Sequence, residues 1–545
     1  MKIALAQSNY HIGNFESNTA KIKEGIAKAK GQGADIVLFA ELAVSGYPPR
    51  DFLEFDDFVE QCRLAIDEIA KSCVDIAAVV GGPVRNDSGA GKPLYNAAWF
   101  LADGKVQKII RKTLLPTYDI FDEYRYFEPN NIFELVEYKG AKIALTVCED
   151  LWNINDDNPM YPINPMDELA KLQPEFILNI AASPFNYDQE KIRKDVLRQN
   201  AKIYGIPLYY VNHVGAQTEL LFDGGSLAMN AKGEIVTELA YFEEDFAVLD
   251  HDAIDRLAVV PERTTSKIAL IHDALVMGVR NYFMKLGFKK AILGLSGGVD
   301  SAVTLVIAAE ALGNENVHSL LLPSQYSSDH SIKDAEDLAK NLGSSYDIIP
   351  IKGLFEAFSK TLKPFFKDLP FNIAEENIQA RTRGVLLMAF SNKFGHILLN
   401  TSNKSEAAVG YGTLYGDMNG GLSVLGDVYK TDVFELARYI NREKEIIPWN
   451  TITKPPSAEL RPDQKDSDSL PDYDILDSIL YQYIEQRLGP KEIIAMGYDE
   501  ATVLRVLKMV NTTEHKRYQT PPILRVSPKA FGMGRRMPIV ARYLS

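Results

Sequence analysis

Short apolar runs alternate with amphipathic stretches from the first residue to about residue 250, and this alternation constrains the fold more than any other feature. Runs such as "KIALAQ", "ADIVLFAE", "KIALTVCED" and "EFILNIAAS" are typical of buried strands that end in loops. Between several of them lie helical patterns such as "NTAKIKEGIAKAKGQG", which a glycine closes. The pattern predicts an α/β layer architecture.

Residues 251–265 interrupt the alternation with charges and a proline, and we interpret them as a linker. A predicted helix, "SKIALIHDALVMGVRNYFMKLG", follows, and the strand "KKAILGLSGG" then opens a second α/β unit. A chain of 545 residues is long enough for more than one hydrophobic core. We therefore expect a first domain over residues 1–250, the linker 251–265 and a second domain over residues 266–545.

Charge and cysteine content restrict the binding partners and the cellular compartment that we expect for the protein. The 59 Lys and Arg against 73 Asp and Glu give a net charge of −14, which disfavours a bulk electrostatic hold on nucleic acid. The three cysteines, Cys62, Cys73 and Cys148, lack the spacing of a disulfide framework and are expected to be cytosolic thiols. No signal-peptide pattern or membrane-spanning apolar run is present, so we expect a cytoplasmic protein with small-molecule substrates and no membrane or nucleic-acid partner.

Three residues of the first half stand where predicted strands pass into loops. Glu41 follows "ADIVLFA", Lys112 follows "VQKIIR" and Cys148 follows "KIALTV". Attack by a thiol on an amide needs a base, a cation or donors for the oxyanion, and an acid for the leaving amine. Glu41 fits the base and acid, and Lys112 fits the cation. Taken singly, however, a cysteine at a strand end is usually a small buried hydrophobe, and a glutamate there is usually a solvated loop residue.

The sequence around these residues resembles the nitrilase, or carbon–nitrogen hydrolase, superfamily. The matching pieces are "LFAELAVSGYPPRD", "RKTLLPTYDIFDEYRYF", "TVCEDLW" and "NHVGAQTELLFDGGS". The resemblance implies an αββα sandwich and a catalytic Glu–Lys–Cys triad on Glu41, Lys112 and Cys148. It also implies that Glu123 supports the lysine. The piece "LPTYDIFDEYRYF" is similar to the glutaminase branch, which implies that the glutamine pocket contains Tyr118 and Ser183.

The segment "AILGLSGGVDSA" places a glycine pair between a predicted strand and a predicted helix. Glycines let backbone N–H groups approach phosphate oxygens, and the N-terminus of the helix adds positive potential. The segment is not a Walker loop, because no GK[ST] follows. Its full wording resembles the PP-loop ATP pyrophosphatases, which implies a Rossmann-like parallel α/β domain that cuts ATP between the α and β phosphates and adenylates a carboxyl or carbonyl oxygen.

The rest of the second half resembles the NAD synthetases, in "ENIQARTRG", "LLNTSNKSE", "GDMNGG", "LGDVYKTDVFELARY", "PPSAELRPDQ" and "EHKRYQTPP". The resemblance implies these ATP and phosphate contacts: Ser296, Gly297, Gly298, Asp300, Ser301, Thr401, Lys430 and Ser457. It implies these contacts to deamido-NAD: Asn377, Arg381, Asp417, His515 and Lys516. It further implies that Asp300 and Glu406 hold Mg²⁺ and that the chain forms a homo-oligomer through the second domain.

Taken over both halves, the resemblance implies amidation of deamido-NAD to NAD, the final step of NAD biosynthesis, with ATP as co-substrate and glutamine as the source of ammonia. Two other functions stay open. One is a carbon–nitrogen hydrolase fused to a different PP-loop amidotransferase that acts on a GMP precursor or on tRNA. The tRNA version is disfavoured because the second half contains no cysteine. The other is an amidase with a nucleotide-sensing module.

Overall fold

The computed structural model describes residues 1–154, 159–461, 464 and 466–544. The chain divides into two compact units, Met1–Thr264 and Thr265–Ser545. Among the residues that the structure describes, no helix is long and apolar enough to cross a membrane.

The first unit contains two six-stranded sheets with helices outside them. One sheet has the order β14-β1-β2-β3-β4-β5 and the other β13-β12-β9-β8-β7-β6, and a two-stranded ribbon pairs β10 with β11. The strands are β1 (Lys2–Gln7), β2 (Ile36–Leu38), β3 (Ala77–Arg85), β4 (Leu94–Ala102), β5 (Lys105–Arg111), β6 (Val136–Tyr138), β7 (Ala141–Val147), β8 (Phe176–Ile180), β9 (Leu208–Val211), β10 (Val214–Gln217), β11 (Leu220–Asp223), β12 (Leu227–Met229), β13 (Ile235–Glu238) and β14 (Asp245–Asp250). The helices are α1 (Phe15–Gly31), α2 (Asp56–Ala70), α3 (Glu123–Tyr126), α4 (Pro165–Ala170) and α5 (Gln189–Tyr204), with 3₁₀ turns at Arg50–Glu54, Cys148–Leu151 and His251–Arg256.

The two sheets stack face to face, because β4 contacts β7 and β1 contacts β9. Helices α1 and α2 pack over the first sheet and α4 packs over the second, which gives four layers. The parallel strands β7 and β8 are buried almost throughout, which is why they show as continuous apolar runs instead of an alternating pattern. The predicted αββα sandwich is confirmed.

The second unit is built on a five-stranded parallel sheet with the order β17-β16-β15-β18-β19. Its strands are β15 (Ala291–Gly294), β16 (Val317–Leu321), β17 (Ser345–Ile348), β18 (Ile397–Asn400) and β19 (Leu422–Ser423). Its helices are α6 (Lys267–Leu286), α7 (Val299–Leu312), α8 (Asp329–Leu342), α9 (Lys352–Phe366), α10 (Ile373–Phe394), α11 (Lys404–Val409), α12 (Lys430–Ile440), α13 (Trp449–Thr453), α14 (Tyr473–Ile484), α15 (Pro490–Ala495), α16 (Glu500–Thr512) and α17 (Glu514–Arg517), with 3₁₀ turns at Asn314–Asn316, Asp466–Asp468 and Gly532–Gly534.

Strand order locates the natural crevice of this sheet. The chain runs outward from β15 to β16 and β17, then returns to the other side of β15 with β18, so the order reverses between β15 and β18. In open parallel sheets, ligands bind beyond the carboxyl ends of the strands at such a reversal. Helix α10 covers β15 and β18, and α11, α14 and α16 share a separate apolar core. The predicted Rossmann-like parallel α/β unit is confirmed.

Candidate active sites

A buried lysine lies between two buried carboxylates in the first unit. The Nζ of Lys112 donates to Glu41 Oε1 at 2.7 Å and to the two carboxylate oxygens of Glu123 at 2.8 and 2.9 Å. The side chains of Lys112 and Glu41 are fully buried. Burial lowers the pKa of Lys112, but the charges of Glu123 and Glu41 outweigh burial and hold the pKa well above its usual value. The lysine is therefore a fixed positive charge at neutral pH.

Cys148 directly follows β7, and its backbone adopts φ = 44°, in the left-handed region that a non-glycine residue occupies only under constraint. The residue is buried and 7% exposed. Burial raises the pKa of the Cys148 thiol well above its usual value, and the Glu41 carboxylate raises it further. Lys112 lowers the pKa of the thiol but does not reverse the shift. The resting thiol is thus protonated, and its proton must reach a base before the sulfur attacks.

The acid that follows the cysteine is enclosed by two phenols. Glu149 Oε1 accepts hydrogen bonds from the Tyr118 hydroxyl at 2.9 Å and from the Tyr161 hydroxyl at 3.0 Å. Burial raises the pKa of Glu149, while the charge of Lys112 and the two phenol hydrogen bonds lower it. A carboxylate held by two donors beside the thiol is a candidate contact for a polar substrate. From the sequence, only the backbone N–H of Glu149 is expected to act, on the oxyanion, and the carboxylate is given no role, since an acid after a strand gives no signal of such partners.

Asp150 connects the cysteine turn to the segment that carries the lysine. Its Oδ1 accepts from the backbone N–H groups of Thr113 and Leu114, both at 2.9 Å, and its Oδ2 accepts from Val147 at 3.1 Å. Burial raises the pKa of Asp150 to about 6, against the lowering effect of these hydrogen bonds. The side chain therefore fixes the residue after Lys112 relative to the end of β7.

The end of β8 completes the surroundings of Glu41. The backbone N–H of Ala182 donates to Glu41 Oε2 at 2.9 Å. The next residue, Ser183, exchanges backbone hydrogen bonds with the side chain of Asn212 at 2.8 and 3.2 Å. Ser183 thus lies one residue from a direct contact to Glu41, and its conformation is fixed from the neighbouring strand.

In the second unit, the loop between β15 and α7 is tightly built. Gly297 has φ = 81°, and a Cβ on it would lie 2.2 Å from the carbonyl oxygen of Ser331. The Ser296 hydroxyl accepts from the Gly298 N–H at 3.2 Å, and the Ser301 hydroxyl donates to the Gly298 carbonyl at 3.0 Å. Glycine is required because the backbone is both left-handed and in contact with a neighbouring segment. The loop opens a 14-residue helix, whose N-terminus suits an anion.

Two carboxylates face one buried lysine beside this loop. Lys430 Nζ lies 2.5 Å from Asp300 Oδ2 and 3.8 Å from Glu406 Oε1, and Asn403 Nδ2 donates to Asp300 Oδ1 at 2.8 Å. Burial raises the pKa of Glu406 to about 8, and the nearby Asp300 charge adds to the shift while Lys430 opposes it. Over the described ranges, no group of three or more His, Cys, Asp and Glu side chains is arranged to hold a metal ion. Two carboxylates do fit Mg²⁺ that is also bound to substrate phosphates, the usual arrangement for this ion.

A cavity of about 610 Å³ extends over the carboxyl ends of β15, β16 and β18. Of the residues that the sequence assigned to nucleotide or metal, the lining contains Ser296, Gly298, Asp300, Ser301, Thr401, Glu406, Asp417, Lys430 and Ser457. The volume is in the range of small-molecule sites. The crevice indicated by the strand order and the glycine loop before α7 therefore border the same cavity.

The remaining assigned residues lie outside the cavity lining, including Gly297, which is in the loop between Ser296 and Gly298. Asn377 Oδ1 accepts from the Thr413 hydroxyl at 2.8 Å, and Arg381 Nε donates to the Leu414 carbonyl at 3.2 Å. Lys516 Nζ donates to two backbone carbonyls, those of Gly410 and Gly412. His515 is exposed.

Arg383 is a cavity residue that sequence reasoning missed. It lines the cavity, and burial lowers the pKa of its guanidinium to about 10. Its Nε donates to the Leu322 carbonyl at 3.0 Å. The signal was present in "QARTRG", where two arginines stand two residues apart. Two residues of helix turn through about 200°, so Arg381 and Arg383 point to different sides, and the pattern alone does not say which side faces the sheet.

Comparison with known proteins places both units in known families. The chain matches the carbon–nitrogen hydrolase family over residues 2–256 and the NAD synthase family over residues 271–520. The glutamine-dependent NAD(+) synthetase of Synechocystis sp. is 46% identical over 553 residues, which cover 99% of each chain. That of Acinetobacter baylyi is 44% identical over 543 residues, which cover 99% of this chain and 98% of the relative.

Solved structures agree. The glutamine-dependent NAD+ synthetase from Acinetobacter baumannii, in complex with ADP, is 41% identical with a TM-score of 0.78, covering 99% of this chain and 98% of that one. The enzyme from Cytophaga hutchinsonii has a TM-score of 0.84 at 21% identity with the same coverage, which is a likeness of fold. Fold and sites thus define a glutamine amidotransferase in which a carbon–nitrogen hydrolase unit is joined to an ATP-using synthetase unit. More narrowly, the chain belongs to the glutamine-dependent NAD(+) synthetases.

Proposed function

We propose that the chain forms NAD from deamido-NAD by two half-reactions, one on each unit. The first hydrolyses glutamine to glutamate and ammonia. The second uses ATP and that ammonia to convert the nicotinate carboxylate to the amide, with release of AMP and pyrophosphate. One observation carries the proposal: a single chain holds a protonated thiol facing a Glu–Lys–Glu cluster and a glycine loop that opens a helix over a nucleotide-sized cavity.

In the first half-reaction Glu41 takes the thiol proton, and Cys148 Sγ attacks the carboxamide carbon of glutamine. Lys112 and the backbone N–H of Glu149 stabilise the oxyanion. Glu41 returns the proton to the leaving nitrogen, so the C–N bond breaks and ammonia and a thioester remain. Water, deprotonated by Glu41, then hydrolyses the thioester to glutamate and frees the thiol.

Glu123 supports this cycle without touching the substrate. Its two oxygens hold Lys112 Nζ at 2.8 and 2.9 Å, so the lysine keeps its direction while Glu41 gains and loses a proton. Tyr118 and Ser183 form the glutamine pocket in this proposal. The hydrogen bond from Tyr118 to Glu149 at 2.9 Å and the fixed backbone of Ser183 support that placement.

In the second half-reaction the nicotinate carboxylate attacks the α-phosphate of ATP, the bond to the β-phosphate breaks, and ammonia later displaces AMP from the adenylate. Ser296, Gly297, Gly298 and Ser301 bind phosphate oxygens with the helix N-terminus. These residues also contact ATP: Asp300, Thr401, Lys430 and Ser457. These residues bind deamido-NAD: Asn377, Arg381, Asp417, His515 and Lys516.

Asp300 and Glu406 would hold Mg²⁺ in this site, and when bound the ion neutralises charge on the phosphates. Lys430 neutralises the same two carboxylates in the described structure, at 2.5 and 3.8 Å. We therefore propose that the lysine moves its contacts toward phosphate when ATP and Mg²⁺ enter. Arg383 adds a second buried cation to the lining of the cavity.

The predicted homo-oligomer has support from the surface of the second unit. Helices α9 and α10 pack together, and several large apolar side chains on and between them are exposed. These are Phe358, Phe365, Leu369, Phe371, Ile373 and Val385. Light scattering should find more than one copy, and Phe365→Asp with Leu369→Asp should give a monomer. The control Ile203→Asp, at an exposed position of α5, should not. The predicted cytoplasmic location rests on the free thiols and stays a prediction.

The overall reaction is tested by measuring pyrophosphate and NAD together. With glutamine, ATP and deamido-NAD, the purified chain should release one pyrophosphate for each NAD formed. Binding of ATP without turnover would favour a nucleotide-sensing module instead. Turnover of a GMP precursor, with no reaction of deamido-NAD, would favour a different PP-loop amidotransferase.

A further inference from the structure

Asn96, the third residue of β4, donates both hydrogens of its side-chain amide to the carboxylates around Lys112. Its Nδ2 donates to Glu41 Oε1 at 2.7 Å and to Glu123 Oε2 at 3.3 Å. The residue is fully buried. The opposite placement of the amide would set Oδ1 against a carboxylate oxygen, so the observed orientation is the one that electrostatics allows.

The side-chain oxygen of Asn96 accepts no hydrogen bond in this position from the part of the chain that the structure describes. Asn96 Oδ1 is buried and has no hydrogen-bond partner among the described residues. A buried polar atom without a partner is unfavourable, so stability alone does not explain an amide here. Asn179 shares this feature but donates to the Thr146 hydroxyl at 2.9 Å, not to a carboxylate. What sets Asn96 apart is therefore where its hydrogens go.

The two carboxylate oxygens of Glu41 differ in the number of hydrogen bonds that they accept. Oε1 accepts from Lys112 Nζ at 2.7 Å and from Asn96 Nδ2 at 2.7 Å, which uses both of its lone pairs. Oε2 accepts from the Ala182 N–H at 2.9 Å, the one hydrogen bond that the described residues give it. Oε2 thus keeps a lone pair with which to take a proton.

From these contacts we infer that Asn96 is a positioning residue for glutamine hydrolysis: it saturates Oε1 of Glu41 and thereby assigns proton transfer with the Cys148 thiol to Oε2. The inference rests on the proposed roles of Glu41 and Cys148. The same amide ties Glu123 to Glu41, so the lysine, both carboxylates and the acceptor oxygen form one rigid arrangement before glutamine binds.

The charged and titratable groups that face Glu41 are Lys112, Glu123 and Cys148. The hydroxyl of Tyr47 reaches Glu41 through Glu123, and the imidazole of His213 lies 2.6 Å from the Glu41 backbone carbonyl. Removing the Asn96 donors leaves these groups in place and makes ionised Glu41 less favourable. We expect Asn96→Leu to lower kcat for glutamine hydrolysis about 10- to 100-fold, the range for a lost hydrogen bond to a charged group. The acid limb of its pH profile should move to higher pH, while KM for glutamine changes little.

Ammonia-driven NAD formation by the same preparation shows whether the second unit remains intact, and Asn179→Leu is the matched control. The control should keep the wild-type pH profile. If Asn96→Leu fails to fold, Asn96→Ser, which keeps one donor, should give a smaller shift in the same direction. An unchanged kcat and acid limb in the Asn96 variant that folds would overturn the inference. Failure of the proposed function is recognised separately, because a Cys148→Ala variant would then still hydrolyse glutamine.

Discussion

The backbone of Gly297 lies against the carbonyl oxygen of Ser331, and a Cβ at that glycine would stand 2.2 Å from it. The loop that opens α7 is thus closed by contact with the first turn of α8. We predict that Gly297→Ala displaces the loop and lowers the rate of NAD formation at least tenfold with either nitrogen source. Steady-state kinetics with ATP varied would measure this.

Gly287→Ala is the control for that substitution. Gly287 has a similar φ of 76°, but nothing lies within 4 Å of the position of its Cβ. The substitution should cost about 1 kcal/mol of stability through the backbone alone. Its KM for ATP should match that of the wild type. Equal kinetics for Gly297→Ala and the wild type would contradict the role of the loop.

Lys112 is predicted to stabilise the first unit as well as act in it. Lys112→Met would leave Glu41 and Glu123 buried with no cation between them, which typically costs about 3–5 kcal/mol. Two of the three tryptophans, Trp99 and Trp152, lie in this unit, so urea unfolding followed by fluorescence reports on it.

The matched control is Lys171→Met, because Lys171 pairs with Glu168 on the surface, with side chains 65% and 35% exposed. It should change the free energy of unfolding by less than about 1 kcal/mol. Similar small losses for both variants would show that the buried pairs are not needed for folding.

The strand-end positions of the candidate triad could be predicted from the sequence together with its family resemblance, and the contacts of a residue in a strand interior could not. Glu41, Lys112 and Cys148 each follow an apolar run, and a strand end projects the next side chain into a loop region where sites form. Asn96 stands inside "LYNAAWF", where the sequence indicates only a strand. Its partner Glu41 lies 55 residues away in the sequence, so only tertiary packing brings the two side chains together.

In the second unit, a loop motif could be predicted from the sequence, but the side of a helix that faces the cavity could not. The motif "SGGVDS" could be predicted to form a tight loop before α7, because glycines, a strand and a helix N-terminus occur in one short segment. The resemblance pointed to Arg381 and not to Arg383, which lines the cavity, because the side of α10 that faces the sheet is fixed by packing and is not visible in the sequence. The burial of Glu149 and Asp150 was also missed, because their donors come from separate segments.

Asp150 gives a pH prediction with a definite sign. Its pKa is about 6 in the folded chain, above its usual value of 3.8, so the folded state holds a proton between these pH values that the unfolded chain releases. The contribution of Asp150 to the free energy of unfolding is therefore largest below pH 3.8 and falls as pH rises through about 6. Activity should change in the opposite sense, because the ionised carboxylate accepts three backbone N–H groups.

Asp150→Asn separates these effects. The amide replaces one acceptor by a donor, which would meet a backbone N–H, so glutamine hydrolysis should fall at all pH values. The difference in free energy of unfolding between wild type and variant should shrink from pH 4 to pH 6 and stay constant above it. A difference independent of pH would contradict the raised pKa of Asp150.

NAD formation by Cys148→Ala with each nitrogen source tests whether one chain joins two half-reactions through ammonia. With glutamine the variant should form no NAD, because Cys148 is the one group proposed to form the thioester. With ammonium chloride at mildly alkaline pH it should keep nearly the wild-type rate, whereas Asp300→Ala should fail with both sources. Loss of both activities in Cys148→Ala, or retention of the glutamine reaction, would contradict the claim.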